Sequence, residues 1–215
     1  MSIRIALFAS GQGSNVEAIL EAIRARRLDA DPICIVTNQP NAGVIQVAKR
    51  FSVPCYIIPS TGLTREAHEE KIIQVVSPLQ PDYVVLAGYM RLFTEKFIYA
   101  FNSPGCLRII NIHPALLPDF KGADGYGDVF KAGVKTSGIT VHFVDEGMDT
   151  GPIIAQAYFE RHDDDTLETF KARGLEVEHA LYPKVLQDIS QGLIQTEIDP
   201  ETYGVIVTRK QELPR

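Results

Sequence analysis

Short apolar runs rich in β-branched residues alternate with helical patterns through the first half of the chain. The helical segments place apolar residues three and four positions apart, as with Val16, Ile19 and Ile23. The apolar runs are almost uninterrupted, which is typical of central strands covered on both faces. Strands are predicted at Ile3–Phe8, Ile33–Val36, Tyr56–Ile58, Tyr83–Ala87 and Ile109–Ile112. Helices are predicted at Ser14–Arg27, Ala42–Phe51 and Thr64–Val76. This alternation predicts an α/β fold with a doubly wound, mostly parallel sheet.

The pattern changes in the second half of the chain. Ile139–Val144 and Ile153–Phe159 have the composition of strands, and the Gly- and Asp-rich segment between them is too short for a crossover helix. We therefore expect them to be antiparallel neighbours, which adds an antiparallel element in the C-terminal half. A long helix is expected at Thr166–Ser190, with Gly174 and Pro183 as sites of a bend.

The chain shows no internal repeat, low-complexity segment or flexible linker, so one domain is expected. Residues 1–190 should form this single domain. Residues 191–215 should form a C-terminal tail packed on the same domain, with a strand at Val205–Thr208.

Charge and cysteine content limit the partners and the compartment. The net charge is −6 and no long basic run is present, which argues against a nucleic-acid partner. The three cysteines (Cys34, Cys55 and Cys106) are widely spaced without a C-x-x-C pair, which argues against a disulfide framework or a zinc site. Arg4 interrupts the short apolar run at the N-terminus, and the strongly apolar stretch Tyr83–Ala87 is too short to span a bilayer. We expect a cytoplasmic protein with no membrane partner and no metal.

The first predicted strand runs into G-Q-G-S-N and then a helix, a pattern that lets backbone N–H groups approach an anion at the positive helix end. Ser14 is predicted as the N-cap, and Asn15 can add a side-chain donor. The alternative is a tight turn with a capping serine and no ligand. A dinucleotide fingerprint would need a small residue in place of Val16 and an acidic residue near Thr37 and Asn38. The G-K-[S/T] of an ATP-binding loop is also missing. The sequence therefore favours a phosphate group as the ligand of this loop and argues against NAD and ATP.

A second candidate site lies where the strand Arg108–Ile112 ends in N-I-H-P-A-L-L-P. Asn111 and His113 are two residues apart, so on an extended segment they project from the same side. Pro114 ends the strand there, and ligands of open α/β sheets bind outside the carboxyl ends of strands. An amide can stabilise an oxyanion and an imidazole can transfer a proton near neutral pH. The alternative is that His113 is a hydrogen-bonded core residue.

A carboxylate would be needed to orient and charge the imidazole. Asp145, Glu146 and Asp149 all lie in the loop after the strand Ile139–Val144. Acidic residues beside glycine are often solvated turn formers, and spacing alone does not select one of the three. His142, in the same strand, is interpreted as a structural residue rather than a supporting one.

Several motifs together resemble one enzyme family. N-I-H-P-A-L-L-P, followed by S-G-I-T-V-H-F-V-D-E-G-M-D-T-G-P-I-I-A-Q, closely resembles the catalytic segment of folate-dependent formyltransferases. G-Q-G-S-N, L-A-G-Y-M-R-L-F and E-H-A-L-Y-P narrow the resemblance to the phosphoribosylglycinamide formyltransferases. The motifs occur in the expected order from about Ile3 to Pro183, so one formyltransferase domain is implied.

The resemblance also implies roles for individual residues. The catalytic residues would be Asn111, His113 and Asp149. The residues that bind the phosphate and the ribonucleotide would be Gly13, Ser14, Asn15 and Glu178. The residues that bind the folate would be Arg65, Met90, Arg91, Leu92, Phe93 and Asn111. The loop Lys121–Tyr126 departs from relatives that carry a histidine after its glycine, because Asp124 stands there.

The implied reaction transfers a formyl group from 10-formyltetrahydrofolate, as co-substrate, to the amino group of glycinamide ribonucleotide in de novo purine biosynthesis, without a metal. A formyltetrahydrofolate hydrolase would use the same three residues with water as acceptor, but would leave the phosphate loop unexplained and would be expected to carry an N-terminal regulatory domain. A methionyl-tRNA formyltransferase would need more chain after Ser190 for a nucleic-acid-binding domain. A non-catalytic nucleotide-binding module would leave the Asn–His–Asp set without a shared purpose. The sequence carries no indication of oligomeric state.

Overall fold

A computed structural model describes residues 2–202 and 204–210 of the protein. The strands are β1 (Ile3–Phe8), β2 (Ala30–Thr37), β3 (Cys55–Ile57), β4 (Tyr83–Leu86), β5 (Ile109–His113), β6 (Thr136–Phe143), β7 (Ile153–Glu160), β8 (Ile194–Ile198) and β9 (Val205–Arg209). The α-helices are α1 (Ser14–Arg24), α2 (Val44–Phe51), α3 (Arg65–Val76), α4 (Glu95–Phe101), α5 (Gly125–Ala132) and α6 (Leu167–Ser190).

Seven strands form one sheet in the order β3-β2-β1-β4-β5-β6-β7. The pairs among β1 to β5 are parallel, whereas β6 is antiparallel to both β5 and β7. The predicted doubly wound, mostly parallel sheet with an antiparallel C-terminal element is confirmed. The chain first extends the sheet from β1 towards β3 and then returns to add β4 on the other side of β1. The carboxyl ends of β1 and β4 therefore flank the point where the strand order reverses, which is where open α/β sheets form a ligand crevice.

The pleat of the strands sends alternate side chains into two separate cores. In β1, Ile5 and Leu7 pack in a core with α1, α2, α5 and α6, while Ala6 and Phe8 pack in a second core with α3 and α4. All four side chains are fully buried. Both faces of the sheet are thus covered, which explains why the central strands read as continuous apolar runs.

Some element boundaries differ from those expected. β2 begins at Ala30 instead of Ile33, because a shift in register between Ile5 and Ala6 of β1 accommodates Pro32. Proline cannot donate to a sheet ladder and is tolerated in a strand at such an irregularity.

Two short helices were missing from the expected set. Thr94 caps α4 by accepting the N–H of Phe97 at 3.5 Å, and Asp124 caps α5 by accepting the N–H of Gly127 at 3.3 Å. The residue that departs from the formyltransferase pattern, Asp124, therefore begins a helix. The glycines around it obscured that helix, since glycine is a poor helix former.

The helix α6 is continuous through both positions where a bend was expected, and Pro183 lies inside it. Its expected first residue, Thr166, is the N-cap and accepts the N–H of Thr169 at 3.2 Å. Gly174 is required by packing, because a Cβ atom there would overlap the ring of Tyr126. Among the described residues, no helix combines the length and the hydrophobicity needed to cross a bilayer, α6 included.

After α6, β8 and β9 form a separate antiparallel hairpin. Ile194 is buried in the first core, and the hydroxyl of Thr196 donates to the carbonyl of Gly105 at 2.8 Å. The predicted strand at Val205–Thr208 appears as β9. Met1, Tyr203 and residues 211–215, which include the end of the expected tail, lie outside the described residues.

Candidate active site

Asn111 and His113 lie at the carboxyl end of β5, between β4 and β6. Asn111 is opposite Leu86 of β4 on one side and His142 of β6 on the other. Because they are two residues apart, the two side chains share one side of the strand, as the sequence predicted. Asn111 is half-buried, and His113 is 3% exposed.

Both ring nitrogens of His113 face oxygen atoms. Nε2 lies 2.8 Å from the carbonyl oxygen of Phe120, and Nδ1 lies 3.6 Å from Oδ2 of Asp149. A carbonyl and a carboxylate can only accept hydrogen bonds, so a hydrogen on each ring nitrogen would satisfy both contacts. The imidazole is therefore oriented from both sides.

Of the three acidic residues in the loop after β6, the structure brings Asp149 to the imidazole. Asp145 instead accepts a hydrogen bond from the hydroxyl of Thr150 at 2.7 Å and shapes the loop. Glu146 is exposed and accepts the hydroxyl of Tyr99 at 2.6 Å. Asp149 has a positive φ of 53°, a left-handed conformation that is uncommon outside glycine, and such conformations cluster at functional sites.

His142 contacts the site directly, although the sequence suggested only a structural role. Its Nε2 lies 3.2 Å from Nδ2 of Asn111 and 3.7 Å from Oδ1 of Asp149, and its Nδ1 lies 2.8 Å from the carbonyl oxygen of Phe143. Burial lowers the pKa of His142, so the ring is neutral. A neutral ring that donates from Nδ1 to the carbonyl has an Nε2 lone pair for the amide of Asn111. The signal missing from the sequence was the β5–β6 register, which sets His142 opposite Asn111.

The loop Phe120–Gly122 covers the catalytic candidates with its backbone. The Phe120 carbonyl accepts from His113, and the N–H of Gly122 donates to Oδ2 of Asp149 at 2.9 Å. Phe120 has φ 52° and Gly122 has φ 115°. A left-handed aromatic residue two positions before a left-handed glycine marks a locally strained turn at Phe120.

The first predicted loop lies at the N-terminus of α1, with one correction. Gly13, with φ 80°, occupies the N-cap position and Ser14 is the first helical residue, so the prediction that Ser14 caps the helix is wrong. A Cβ atom at Gly13 would lie 2.7 Å from Cγ2 of Val44, so close packing as well as φ requires glycine there. No side chain caps the helix, which keeps the first backbone N–H groups of α1 available to an anion.

Asn15 and Glu178 are brought together by the packing of α1 against α6. Nδ2 of Asn15 donates to Oε2 of Glu178, and the hydroxyl of Tyr126 donates to Oε1 at 2.5 Å. Both side chains are buried, with Asn15 7% and Glu178 5% exposed. Burial raises the pKa of Glu178, while the hydrogen bonds from Tyr126 and Asn15 act in the opposite direction.

The start of α5 connects the two candidate sites. A Cβ atom at Gly125 would lie 3.4 Å from Nε2 of His113, and the next residue is Tyr126, which bonds Glu178. A chain of contacts through Gly125, Tyr126 and Glu178 therefore links the imidazole of His113 to Asn15 of the anion loop.

The residues expected to bind folate lie on the other face of the sheet. Met90 and Leu92 follow β4 and are 68% and 54% exposed, while Phe93 stacks on Phe97 with ring centroids 3.9 Å apart. Arg91 is half-buried. Arg65 is exposed at the first position of α3, where a positive charge opposes the helix dipole and gains nothing for stability.

Both ends of this exposed segment are anchored. The N–H of Met90 donates to Oγ of Ser10 at 2.9 Å, and that hydroxyl donates to Oδ1 of Asn38 at 2.7 Å. At the other end, the N–H of Thr94 donates to the buried carboxylate of Glu69 at 3.0 Å. The segment therefore presents apolar side chains from a fixed backbone.

For residues 2–202 and 204–210, no group of three or more His, Cys, Asp or Glu side chains is placed to hold a metal ion. An oriented imidazole, an amide beside it and a nearby anion loop suit a group-transfer enzyme whose acceptor carries an anionic group. The sequence matches the family model for formyl transferases over residues 3–186. The chain belongs to the formyl transferase family.

Particular relatives cover nearly all of the chain. It is 44% identical over 187 residues to the phosphoribosylglycinamide formyltransferase of Bacillus subtilis (strain 168), which covers 86% of this chain and 94% of that protein. The solved structure of glycinamide ribonucleotide transformylase 1 from Symbiobacterium toebii is similar with a TM-score of 0.87 at 33% identity, covering 98% of this chain and 95% of that one. Phosphoribosylglycinamide formyltransferase from Bacillus Halodurans has a TM-score of 0.82 at 42% identity, covering 86% and 94%.

Proposed function

We propose that this formyltransferase moves the formyl group of 10-formyltetrahydrofolate to the amino group of glycinamide ribonucleotide, releasing tetrahydrofolate. The product would be formylglycinamide ribonucleotide, an intermediate of de novo purine biosynthesis. The 44% identical relative is named for this activity. The three cysteines are free thiols, as suits a protein of the reducing cytoplasm.

One observation supports the proposal: contacts of Gly125, Tyr126 and Glu178 link the imidazole of His113 to Asn15 in the anion loop of α1. A ribonucleotide acceptor has a phosphate at one end and its amine at the other. The backbone of Gly13, Ser14 and Asn15 would hold the phosphate at the positive end of α1. Glu178 would also bind the ribonucleotide. With the phosphate held at this end, the amine at the other end of the ribonucleotide would reach the catalytic residues.

The chemistry follows from the contacts of three side chains. The amine nitrogen attacks the formyl carbon, and the carbonyl oxygen takes negative charge as the tetrahedral intermediate forms. The free N–H of Asn111 and a protonated His113 would stabilise this oxyanion. Asp149 would hold His113 in that form and relay the proton lost by the amine to the leaving nitrogen of tetrahydrofolate, through water. Collapse of the intermediate breaks the bond between the formyl carbon and that nitrogen, with no covalent enzyme intermediate or metal.

This route requires the loop over His113 to move. Nε2 of His113 now donates to the Phe120 carbonyl, and the oxyanion would need the same hydrogen. Exchange of one acceptor for another conserves the number of hydrogen bonds. The strained turn Phe120–Gly122 is the element that would release it.

On the folate side, the exposed Met90 and Leu92 would contact the flat ring system of the co-substrate. Phe93, whose ring stacks on that of Phe97, would hold this segment in place. Arg91 would meet polar groups at the slot, and Arg65 would meet the carboxylates of the glutamate tail. Asn111 would contact the formyl group carried by the folate.

The direct test follows tetrahydrofolate release from 10-formyltetrahydrofolate with and without glycinamide ribonucleotide. We expect release to depend on the ribonucleotide and formylglycinamide ribonucleotide to form in equal amount. Release at the same rate without the ribonucleotide would contradict the proposal and indicate a hydrolase.

A further inference from the structure

Tyr126 is a buried tyrosine near the active site to which the proposed chemistry assigns no role. It lies in the first turn of α5 and is 8% exposed. Its hydroxyl makes a single side-chain hydrogen bond, to Oε1 of Glu178 on α6. Its ring packs edge-on against Phe170, with centroids 6.2 Å apart.

The opposite helix is shaped to accept this ring. Gly174, one turn before Glu178 on α6, faces Tyr126, and a Cβ atom there would overlap the ring. Glycine inside a helix costs about 1 kcal/mol relative to alanine, so its presence in the middle of α6 needs a packing reason. The fit of Tyr126 supplies that reason.

The bond from Tyr126 continues to both halves of the cleft. Glu178 uses its other oxygen to accept Nδ2 of Asn15, in the anion loop. The Oδ1 atom of the same Asn15 amide is buried without a partner among the described residues. In the other direction, Gly125 adjoins both Tyr126 and the ring of His113.

We propose that Tyr126 is a positioning residue, which holds Glu178 so that the ribonucleotide loop at Asn15 stays in register with His113. The inference rests on the proposed function and adds a specific residue to it. Tyr126 touches neither substrate. It acts on ribonucleotide binding through the carboxylate of Glu178.

Electrostatics give this role a distinctive signature. Burial raises the pKa of Glu178, and the hydrogen bonds from Tyr126 and Asn15 favour the carboxylate. His179 and Lys171 of α6 also lower the pKa of Glu178, and Tyr182 is a further titratable neighbour on the same helix. Removing the Tyr126 hydroxyl takes away the larger of the two hydrogen-bond contributions, so the pKa of Glu178 rises further. A protonated Glu178 could not hold Asn15 in the same way.

The test is Tyr126→Phe, which removes one oxygen and keeps the ring against Gly174. We expect the KM for glycinamide ribonucleotide to rise about tenfold at neutral pH, the effect of losing a hydrogen bond to a charged group. The kcat and the KM for 10-formyltetrahydrofolate should change less than about twofold. The increase of the ribonucleotide KM on the acid side should begin at a higher pH than in the parent.

A second variant and a control separate positioning from general damage. Gly174→Ala pushes the ring away from Glu178 and should reproduce the same rise in ribonucleotide KM. Tyr99→Phe removes a hydroxyl from another tyrosine–glutamate hydrogen bond, that with exposed Glu146, and should leave the pH profile of the ribonucleotide KM unchanged. Melting temperatures of all variants monitor folding.

The outcomes distinguish the two levels of proposal. Ribonucleotide-dependent activity in the parent, together with a Tyr126→Phe variant whose KM and pH profile match the parent, would overturn the positioning role alone. Equal losses in kcat and in both KM values would also overturn it, because that pattern indicates general disruption. A parent without ribonucleotide-dependent activity would contradict the proposed function and this inference with it.

Discussion

Asn111 has two amide N–H bonds, and its neighbour decides which one is available. One N–H faces the neutral Nε2 of His142 at 3.2 Å, and the other is free to face the cleft. Replacement by alanine removes an oxyanion donor without removing a core side chain. We expect Asn111→Ala to lower kcat by about 10²–10³, the range found when one oxyanion donor is lost. Steady-state kinetics with a melting curve would check this, and near-parental turnover in a folded variant would mean that the amide only orders His142.

Asp149 places one carboxylate between two imidazoles, 3.6 Å from His113 and 3.7 Å from His142. Asp149→Asn keeps the size of the side chain but removes the charge that would stabilise a protonated His113. We expect kcat to fall by about 10²–10⁴, the contribution of general acid–base catalysis. Asp145→Asn is the matched control, since Asp145 shapes the same loop without touching an imidazole. If the two variants lost activity equally, loop conformation rather than the charge on Asp149 would be responsible.

At the residue scale, spacing predicted part of this site. Two residues of extended chain place Asn111 and His113 on one side, and that followed from the sequence. The choice of Asp149 over Asp145 depended on the family resemblance, because all three acidic residues share one loop. The contact of His142 with Asn111 depends on the pairing register of two antiparallel strands, and no local pattern reports it.

At the element scale, Ser10 connects the two substrate loops. It precedes the anion loop of α1, and its hydroxyl joins the N–H of Met90 to the side chain of Asn38. Three strand ends are thereby tied at the point where the strand order reverses.

Replacing Ser10 should therefore affect both substrates. We expect Ser10→Ala to raise the KM values for the ribonucleotide and the folate together by about fivefold, the effect of one neutral hydrogen bond of ~1 kcal/mol, with a smaller change in kcat. Ser190→Ala, which removes a hydroxyl bonded only within the end of α6, is the control. A change in only one KM value would show that the loops are independent.

Helices and strands were predictable where the burial of one face gives the apolar residues a regular spacing in the sequence. The central strands and the helix α3 were found within a few residues, because their apolar faces are long enough to show it. The helix α5 was missed, since its N-cap, Asp124, lies among three glycines and the helix is held by tertiary contacts to α6. The predicted second strand began after Pro32, whereas β2 includes this residue. The shift in the β1–β2 pairing register that accommodates the proline has no signal in a single sequence.

At the scale of the whole molecule, the doubly wound topology determines how the substrates meet. Residues proposed for the ribonucleotide come from the N-terminus of α1 and from α6 on one face, and those proposed for folate come from α3 and the segment after β4 on the other. They meet at the carboxyl edge, beside Asn111. The alternation of strands and helices predicted this edge, whereas the packing of α6 across α1 and α5 had no signal in the chain.

The structure buries His68 and His142, and this predicts how its stability depends on pH. Burial lowers the pKa of His68, which bonds the Ile58 carbonyl, and of His142. In the unfolded chain these imidazoles bind protons as the pH falls through about 6.5, while the folded protein keeps them neutral to a lower pH. Below that pH the unfolded state therefore holds more protons than the folded state. Lowering the pH through this window then lowers the free energy of unfolding, by at most about 1.4 kcal/mol per pH unit for each histidine. The raised pKa of Glu178 acts oppositely: its contribution to stability increases as the pH falls through its folded pKa.

Urea unfolding at several pH values between about 7 and 5.5 should show the decline in the free energy of unfolding. His68→Gln should reduce the slope of that decline, while His162→Gln, at an exposed position, should not. An unchanged slope in His68→Gln would mean that this imidazole binds its proton over the same pH range in the folded and the unfolded protein, despite its burial.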